Sequence, residues 1–596
     1  MHNCESTFGG FHLSQELAEL QKEIERLRLA LRKQEYGLVW LNVPEAFDHL
    51  SENQVPILRE VNEFNLGGAD PQTHLLIEGD NYHALTCLNF THRQKVDLIY
   101  IDPPYNTGSD GFRYKDKRVL DKFPDGSDVP KDHPLRHSYW LSFMSKRLEL
   151  AKNLLKRTGA ILISINEEEF AQLKLLCDKI FGAKNYLTMF TIKVRHEERI
   201  LKGDKDFHEV VEYLLMYKAS SEYKVIKKVY DNTSLADYVY QIVEKNPKPE
   251  IVQMGNKAVS IFKPGEYEIL KLEASADNMK SINIRGSLKE GNSSGRFYMA
   301  HLEDRKNRGY LYKVPDMGND KFGHRYFLTP EKESRVNGDY FQGVPLDIQD
   351  IKEVPYPNYF DFEQAFNNVG YEGGVSFGGG KKPISFLKHF IKLATDNPEA
   401  VILDFFGGSG STGHAVLDLN KEDGGSRKFI LVTNNEEWVK NTKIEIMREI
   451  CLPRIRNVVA EIPSTVNFYT TEFIGNANVQ DIQDDGRLEL AKFASDLLAI
   501  AEDTTHFIEV KKSYALYRDN LHTKFMGVYF VEDLSDIENF VIDISKLKGV
   551  GTVFVFSWEA EVNIEELNDL PEVNVKPIPE PILQAYKRIF DAGAFN

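Results

Sequence analysis

Residues 96 to 105, VDLIYIDPPY, join an apolar run to an acid, two prolines and a tyrosine. The run from Val96 to Tyr100 predicts a buried strand. Proline fixes its own φ and restricts the residue before it, so Asp102 and Pro103 are both held near extended geometry. The stretch therefore predicts a rigid rim at the carboxyl end of a strand. In open α/β sheets, ligands bind at that end.

The composition is that of a chain with several folded domains. The 596 residues are 42% hydrophobic and 11% aromatic, which is enough to form real cores. The net charge of -17 shows that the chain is not basic throughout. It does not exclude a nucleic-acid enzyme, because such an enzyme needs only a local basic face. The four cysteines lie far apart without a CxxC pair, so neither a disulfide framework nor a metal site is indicated.

The same features predict a location. The cysteine usage favours a reducing cytoplasm. The polar start MHNCESTFGG lacks the core of a signal peptide, and no apolar run is long enough to span a bilayer. We expect no membrane association.

An amphipathic helix is predicted near the amino end. Its apolar residues recur at alternating four- and three-residue steps, with charged residues between them, which is the pattern of a coiled-coil seam. Ser14 is a possible cap, and Gly37 ends the pattern. The seam residues are Leu13, Leu17, Leu20, Ile24, Leu27 and Leu31. Self-association is the favoured interpretation, because the charged flanks leave only a narrow apolar stripe, and packing on the chain's own domain is the alternative.

Strands and helices alternate through the next part of the chain. THLLIEGDNYHAL (residues 73 to 85) predicts a strand, a turn at Gly79-Asp80 and a helix start. After DPPY, the residues from Trp140 to Leu155 are apolar at helical spacing, AILISI (160 to 165) predicts a strand, and Glu167 to Phe181 predicts a helix. This alternation favours a parallel sheet.

The alternation stops between about residues 190 and 370 and then returns. The interval has short strands, glycine and asparagine turns and scattered basic residues, which is typical of an inserted domain. Val401 to Phe405 then predicts a buried strand, followed by the small-residue turn Phe406 to Ser411 and a helix from Thr412. Taken alone, this turn could bind a nucleotide, a dinucleotide or nothing, since it lacks both GxGxxG spacing and a P-loop lysine.

The order of the two motifs gives the chain a family resemblance. Asp102 to Tyr105 comes first, the insert follows, and Phe406 to Ser411 comes last. In this order the chain resembles the DNA adenine-N6 methyltransferases of the permuted β class, and more closely the modification subunits of type III restriction-modification systems. The resemblance covers roughly residues 37 to 460. It implies an α/β, Rossmann-like fold with a circularly permuted, mostly parallel sheet that uses S-adenosyl-L-methionine.

The resemblance implies that the DPPY residues carry the catalytic chemistry. The lone pair of adenine N6 is delocalised into the ring and must be localised by hydrogen bonding before it attacks a methyl sulfonium. The Asp102 carboxylate and the Pro103 carbonyl are suitable acceptors for the amino hydrogens, in a geometry that Pro103 and Pro104 fix. Tyr105 would stack on a base flipped out of the duplex. Asn106 is a further candidate for contact with the substrate.

The resemblance also assigns a cofactor site along the glycine-rich turn, with Asp80 near the adenine end and Lys382-Pro383 at the methionine side. The family commonly ends its next strand with an acid that binds the ribose, whereas this chain has Thr433-Asn434-Asn435 before Glu436. The ribose contact is therefore open, although an asparagine can bond a hydroxyl. The cofactor-binding candidates are Asp80, Asn81, Lys382, Pro383, Asp404, Phe406, Gly407, Gly408, Ser409, Gly410, Ser411, Thr412 and Asn434.

The insert is the expected reader of DNA sequence. Scattered basic and polar side chains suit phosphate positioning and contacts to base edges, although a solvated loop face produces similar runs. The candidates for DNA contact are Arg195, Arg199, Lys202, Arg305, Lys306 and Arg308.

The carboxyl-terminal segments FIEVKKSYALYR, FMGVYFVEDLSD, GTVFVFSWEAEVNI and NVKPIPEPILQAYKRIF predict four strands with helices in a small α/β domain. Glu509 and Lys511 match half of a nuclease ExK motif, but no upstream acid is convincingly placed to share a metal. Docking of a partner or contact with DNA is the favoured interpretation.

We thus expect five parts: a coiled-coil helix (1–40), the DPPY half of the methyltransferase domain (41–190), a target-recognition domain (191–370), the cofactor-binding half (371–465) and the carboxyl-terminal domain (466–596).

The expected partners are double-stranded DNA, a second copy of the chain and, by the resemblance, a helicase-nuclease restriction subunit. One alternative is a methyltransferase acting on cytosine N4, on RNA or on a glutamine amide. Asp102 favours adenine, because related enzymes that act on glutamine or guanine tend to carry NPPY and those that act on cytosine tend to carry SPPY. The other alternative is a non-catalytic scaffold that binds DNA and recruits a nuclease, and the intact Asp102 and Tyr105 argue against it.

Overall fold

The computed structural model describes most of the chain after residue 39. The described residues are 40–43, 45, 55–67, 72–107, 121–122, 128–129, 133–198, 207–231, 235–285, 293–303, 307–332, 337–346, 351–376, 380–434, 438–439, 442–443, 445–474, 484–559, 562, 564–568, 570 and 572–591. The predicted coiled coil lies outside them apart from Trp40. The chain forms two compact units: a larger unit of Met1–Ile226 with Pro357–Asn596, and an inserted unit of Lys227–Tyr356.

Strands and helices are numbered along the whole chain. The strands are β1 (Val55–Glu60), β2 (Thr73–Glu78), β3 (Val96–Ile101), β4 (Leu155–Ile165), β5 (Tyr186–Lys193), β6 (Val211–Lys218), β7 (Lys228–Asp231), β8 (Tyr240–Glu244), β9 (Glu250–Met254), β10 (Lys257–Phe262), β11 (Tyr267–Lys271), β12 (Lys280–Asn283), β13 (Leu311–Pro315), β14 (His324–Leu328), β15 (Asp339–Gln342), β16 (Ile351–Val354), β17 (Tyr359–Asp361), β18 (Val401–Asp404), β19 (Lys428–Thr433), β20 (Trp438–Val439), β21 (Thr442–Lys443), β22 (Thr465–Ile474), β23 (His506–Val510), β24 (Tyr514–Arg518), β25 (Lys524–Tyr529), β26 (Val550–Phe556) and β27 (Val573–Ile578). The α-helices are α1 (Asn81–Thr91), α2 (Ser138–Leu154), α3 (Glu167–Cys177), α4 (Ser293–His301), α5 (Glu363–Asn368), α6 (Ile384–Ala394), α7 (Ser411–Asp423), α8 (Leu452–Glu461), α9 (Asp484–Phe493), α10 (Ser495–Glu502), α11 (Ile537–Ser545), α12 (Glu565–Asn568) and α13 (Glu580–Asp591).

The larger unit is built on a ten-stranded sheet with the order β1-β22-β2-β19-β18-β3-β4-β6-β5-β17. The six strands from β22 to β4 run parallel to one another, while β1 and β6 pair antiparallel with their neighbours. Strands β18 and β19 lie between β2 and β3, although they come about 300 residues later in the chain. The sheet is therefore mixed but mostly parallel, as in an open α/β fold.

The central strands are apolar because helices cover both faces of a parallel sheet. The residues from Leu98 to Ile101 and from Ile402 to Phe405 are almost fully buried. Capping residues fix where the helices begin: Asp80 accepts a hydrogen bond from the Tyr82 amide at the start of α1. Asn166 does the same at the start of α3.

Several predicted boundaries differ from the structure. Strand β4 starts at Leu155, five residues before the predicted AILISI strand, so Gly159 lies within a strand. Strands β5 and β6 pair with each other, and β6 pairs with β4, so residues 186–218 belong to the main sheet. The inserted unit consequently begins at Lys227 and ends at Tyr356, inside the predicted limits of 191 and 370.

The inserted unit is an antiparallel β structure. Its six-stranded sheet has the order β12-β15-β14-β13-β10-β9, and the pairs β8/β11 and β7/β16 form two small sheets. Helix α4 contributes Phe297 to a core that includes Tyr312 and Phe327 from the sheet. Short strands joined by tight turns are what the sequence of this segment predicts.

The carboxyl-terminal part packs on the main sheet. The predicted boundary at residue 466 falls within β22, which pairs with β1 and β2. Beyond it, five strands in the order β23-β24-β25-β26-β27 form a separate sheet. Four strands were predicted; the fifth arises because FIEVKKSYALYR folds back at Lys511 to give both β23 and β24.

Helices α10 and α13 join this domain to the part of the larger unit that carries the main sheet. Leu497 and Leu583 share one buried apolar cluster with Leu85 of α1. The buried Tyr586 hydroxyl donates to the Pro56 carbonyl at 2.9 Å. The carboxyl-terminal domain thus shares the core of the larger unit.

Among the described residues, no helix combines the length and the apolar character that crossing a membrane requires.

Candidate active site

Three loops of predicted functional importance meet at one edge of the main sheet. Thr433 of β19 pairs with Glu78 of β2, and Leu403 of β18 pairs with Ile99 of β3. These strands are parallel neighbours, so the loops that follow them leave the same edge of the sheet. The structure therefore brings together the Gly79-Asp80-Asn81 turn, the glycine-rich turn and the DPPY stretch.

The DPPY backbone is held from below by a buried tryptophan. Trp140 of α2 is 0% exposed, and its indole N–H donates to the Pro104 carbonyl at 2.8 Å. A buried indole normally finds such a partner. The bond fixes the peptide between Pro104 and Tyr105, while Asp102 and Tyr105 remain half-buried above the strand.

Four polar side chains form one cluster at the DPPY stretch. The Tyr105 hydroxyl donates to Asp102 Oδ1 at 2.7 Å and lies 3.1 Å from Glu212 Oε2. The Lys382 ammonium lies 3.1 Å from Asp102 Oδ1, 2.8 Å from the Tyr105 oxygen and 2.8 Å from Glu212 Oε2. Lys382, predicted at the methionine side of the cofactor, thus lies in direct contact with the predicted catalytic acid.

The pKa values of the two acids in this cluster are shifted in opposite directions. Burial raises the pKa of Asp102, and the attraction of Lys382 offsets this only in part. Burial also opposes ionisation of Glu212, but Lys382 outweighs it and lowers the pKa of Glu212. Burial disfavours the charged form of Lys382, yet Asp102 and Glu212 together raise its pKa. Of the two acids, Glu212 lies nearer to the ammonium, at 2.8 Å against 3.1 Å for Asp102.

The glycine-rich turn is shaped by a buried acid. Asp404 accepts a hydrogen bond from the Phe406 amide at 3.0 Å and one from the Thr412 hydroxyl at 2.6 Å, so its carboxylate joins both ends of the turn. Burial raises the pKa of Asp404 to about 7. Gly410 has a φ of 77°, and a Cβ there would lie 3.0 Å from the Cys451 sulfur, so the position requires glycine.

Arg454 of α8 supports the same turn from inside the protein. Its guanidinium donates to the Ser411 hydroxyl at 2.7 Å and to the Ser409 hydroxyl at 3.2 Å, and it lies 3.7 Å from Glu372. The side chain is 0% exposed, and burial lowers the pKa of Arg454 to about 10. Its Nη2 has no hydrogen-bond partner among the described residues. A buried cation beside the turn fits a ligand that carries an anionic group.

A second buried arginine organises the turn after β2. Arg147 donates to Asp80 at 3.1 Å and to Glu45 at 2.7 Å, and it contacts the Asn81 side-chain oxygen. The Asn81 amide donates to the Phe405 carbonyl at 2.9 Å, which links this turn to the glycine-rich turn. Asp80 and Asn81 therefore order the site through protein contacts, and the Asp80 side chain is still 33% exposed.

A polar bridge follows Tyr105. Asn106 has a φ of 61°, which asparagine tolerates better than most residues, and its amide donates to Glu169 at 2.6 Å. Glu169 is buried on α3 and also contacts His137 at 2.8 Å. The hydrogen bond with Glu169 raises the pKa of His137, although burial opposes it.

The other predicted site residues have varied positions. Lys382 and Pro383 lead directly into α6, and half-buried Asn434 follows β19 beside the Gly79 turn. Arg195 is exposed in the larger unit and donates to the Glu209 carbonyl at 2.9 Å. Arg308 is exposed in the inserted unit. Arg199, Lys202, Arg305, Lys306, Asn435 and Glu436 lie outside the described residues.

Several contributors could not be identified from the sequence. Glu212 stands in β6, about 110 residues from DPPY, and no motif marks it. Trp140, Arg147 and Arg454 appear as ordinary members of helices. For the two arginines, the sequence offers one general signal, which is that charged residues within apolar helices need a partner.

The carboxyl-terminal ExK pair has structural partners. Lys511 forms an ion pair with Asp543, and Asp543 also accepts from the Tyr514 hydroxyl at 2.5 Å. Glu509 lies 3.7 Å from Lys511. The lysine is thus engaged in holding β23 and β24 to α11.

Comparisons with known proteins give matches over more than half of the chain. The model of the N6/N4 DNA methylase family matches residues 96–444. The Mod subunit of the type III restriction-modification enzyme StyLTI of Salmonella typhimurium (strain LT2) is 31% identical over an alignment of 488 residues that covers 76% of this chain and 67% of that protein. The EcoPI Mod subunit of Escherichia phage P1 is 28% identical over 481 residues, covering 73% of this chain and 68% of that protein.

Similarity to solved structures is low. The PvuII DNA methyltransferase, described as cytosine-N4-specific, aligns with a TM-score of 0.29 at 12% identity, covering 66% of this chain and 95% of that one. This alignment is too weak to support a functional comparison.

Proposed function

The chain belongs to the N6/N4 DNA methylase family and is an S-adenosyl-L-methionine-dependent DNA methyltransferase, and on that premise we propose that it methylates adenine N6 as the modification subunit of a type III restriction-modification system. The observation that carries this proposal is the position of Asp102. It follows β3 directly and lies beside the glycine-rich turn that follows the neighbouring strand β18.

Asp102 and Pro103 would act on the amino group of the target base. The Asp102 carboxylate accepts one N–H and the Pro103 carbonyl accepts the other, which localises the nitrogen lone pair. S-adenosyl-L-methionine supplies the electrophilic methyl group. The nitrogen then loses its extra proton, and Asp102, whose pKa burial raises, is placed to receive it.

Tyr105 would support the flipped base. Its ring is only partly buried, and its hydroxyl bonds to Asp102 and Glu212 fix the orientation of the ring. Stacking of a base on an aromatic ring is worth about 1–3 kcal/mol. Asn106 would contribute mainly by shaping the loop, because its amide already bonds to Glu169.

The cofactor would lie along the edge formed by the glycine-rich turn and the Gly79 turn. Phe406 is half-buried there and lies 5.9 Å from the Phe143 ring, so an apolar surface is available to an adenine ring. Amides at the start of α7 and the buried Arg454 favour anionic or polar groups. Asp80 and Asn434 are the candidates for the ribose hydroxyls.

The inserted unit would read the DNA sequence. It is a compact domain with its own core, and exposed Arg308 belongs to one of its loops. Arg195, Arg199, Lys202, Arg305 and Lys306 remain candidates for contact with DNA. An asymmetric recognition site would be served by a homodimer in which one protomer reads and the other methylates. A helicase-nuclease restriction subunit is the further partner we propose.

Long-read sequencing that detects modified bases tests this function. DNA would be compared from a host that carries the gene, the same host with an Asp102→Ala allele, and the host without the gene. We expect N6-methyladenine at one short asymmetric sequence, present only with the intact gene. Methylation on cytosine N4, or identical DNA in all three strains, would contradict the proposal.

A further inference from the structure

Lys382 places a full positive charge against the predicted catalytic acid. Its ammonium lies within 3.1 Å of Asp102, the Tyr105 hydroxyl and Glu212, and its side chain is 8% exposed. A lysine has three N–H donors, so these oxygens can occupy all of them at once. The ammonium is therefore fully engaged by protein groups at the place where chemistry is proposed.

This arrangement occupies one of the two carboxylate oxygens of Asp102 and competes with its proposed acceptor role at that oxygen. Oxygen Oδ1 of Asp102 faces two donors, the Tyr105 hydroxyl at 2.7 Å and the Lys382 ammonium at 3.1 Å. One carboxylate oxygen has two lone pairs, so Oδ1 has little capacity left for an incoming amino group. A bonded ammonium also draws negative charge from the carboxylate and weakens it as an acceptor.

Glu212 offers both donors a second acceptor. Its Oε2 lies 2.8 Å from the Lys382 ammonium and 3.1 Å from the Tyr105 oxygen. It projects from β6, which pairs with β4 beside β3, so its position is set by the main sheet. Its side chain is 16% exposed, and Lys382 keeps it ionised despite that burial.

We propose that Glu212 is a positioning residue that retains the Lys382 ammonium and the Tyr105 hydroxyl when the target amino group takes their place at Asp102. The inference rests on the proposed function, because it concerns the same amino group. With Glu212 present, the ammonium is balanced without Asp102, and the carboxylate is released to accept an N–H. Without Glu212, Asp102 is the one carboxylate of the cluster that remains to balance the charge of Lys382. The target amino group must then displace Lys382 from a buried ion pair with Asp102.

The test uses the full-length protein, labelled S-adenosyl-L-methionine and genomic DNA from a host that lacks the gene. The variants are Glu212→Gln, Glu212→Asp and the double variant Glu212→Gln/Lys382→Met. The readouts are kcat at saturating cofactor, KM for DNA, and the Kd of the cofactor. Glu222→Gln is the matched control, since Glu222 is an exposed acid after the same strand that pairs with Arg157.

We expect Glu212→Gln to lower kcat about tenfold or more, with the Kd of the cofactor changed less than about threefold. Adding Lys382→Met should raise kcat above that of Glu212→Gln alone, because the competing ammonium is gone. A merely structural role would make the two substitutions additive or worse. Glu212→Asp should lie between the wild type and Glu212→Gln.

A kcat for Glu212→Gln within about threefold of the wild type, or a double variant slower than Glu212→Gln, would overturn the inference. If Glu212→Gln does not fold, as judged by its melting curve, an unchanged kcat in Glu212→Asp would overturn it. Failure of the proposed function is distinguishable, because the wild type itself would then yield no N6-methyladenine in the same assay.

Discussion

The indole N–H of Trp140 and the carbonyl of Pro104 form a hydrogen bond of 2.8 Å beneath the DPPY stretch. The bond joins the first turn of α2 to the backbone between the predicted catalytic acid and the predicted stacking ring. Trp140 is 0% exposed, so the bond is made inside the protein core. The rigidity of the DPPY stretch thus depends on the helix below it as well as on its prolines.

Trp140→Phe should therefore weaken both stability and catalysis. It leaves the Pro104 carbonyl without its donor, which costs about 1–3 kcal/mol of unfolding free energy, and it lets the loop shift. We expect methyl transfer to fall several-fold while the Kd of the cofactor stays close to that of the wild type. Trp558→Phe is the control, because Trp558 is 41% exposed. Equal effects of the two substitutions would contradict this role.

Tyr105→Ala should lower the rate of methyl transfer less than the loss of Asp102 does. It removes a stacking surface worth about 1–3 kcal/mol, whereas the acid contacts the reacting group. Tyr105→Phe, which keeps the ring and loses the hydroxyl bonds to Asp102 and Glu212, should be milder still. Single-turnover rates on duplex DNA would order the three variants. A loss from Tyr105→Ala equal to that from Asp102→Ala would give Tyr105 a different role.

Asp404 should make stability depend on pH. Its pKa is about 7 in the folded protein because of burial, against an ordinary value of 3.8. Below about pH 4 both states hold the proton, and there is no penalty. As the pH rises to 7 the unfolded chain releases the proton and the folded protein retains it. Stability is therefore lost progressively across this window, by on the order of 4 kcal/mol at most.

Asp404→Asn keeps a neutral hydrogen-bonding group and should remove that dependence. Its melting temperature relative to the wild type should rise between pH 4.5 and 7.5, whereas the exposed control Asp396→Asn should show no such trend. A melting-temperature difference for Asp404→Asn that is constant over this range would mean that Asp404 is ionised in the fold.

The heptad at the amino end yields a prediction about assembly. Six apolar residues at heptad steps bury little surface in a lone helix, so we expect this segment to pair with a second copy. Deletion of residues 1–36 should convert the dimer to a monomer in light scattering. If the shortened protein remained a dimer, the heptad would not be the dimer contact. A monomeric full-length protein would contradict the proposed dimer itself.

The sequence predicted the two motif-bearing strands because their signals are local. An apolar run followed by DPPY, and another followed by small residues, each predict a buried strand with a functional loop, and both are present as β3 and β18. The short-strand character of residues 227–356 was likewise visible in its turns.

The rest of the site depends on contacts between distant parts of the chain. Glu212 lies in VEYLLMYK, and the neighbouring residues do not indicate a function for this acid near the start of an apolar strand. It becomes significant only because β6 pairs beside β4 and brings it to Lys382, 170 residues later. The role of Arg454 likewise depends on distant contacts, because its partners Ser409 and Ser411 are more than 40 residues away in the chain.

The most direct test of the central claim is methyl transfer by purified Asp102→Ala protein, with its products identified by mass spectrometry of the nucleosides. Wild-type protein, given duplex DNA and S-adenosyl-L-methionine, should produce N6-methyladenine. Asp102→Ala should lose that product almost completely and yet bind the cofactor nearly as well, since it removes an acceptor for the amino hydrogens and no proposed cofactor contact. The exposed Asp396→Ala serves as the control. Turnover by Asp102→Ala within about tenfold of the wild type, or a product other than N6-methyladenine, would contradict the account.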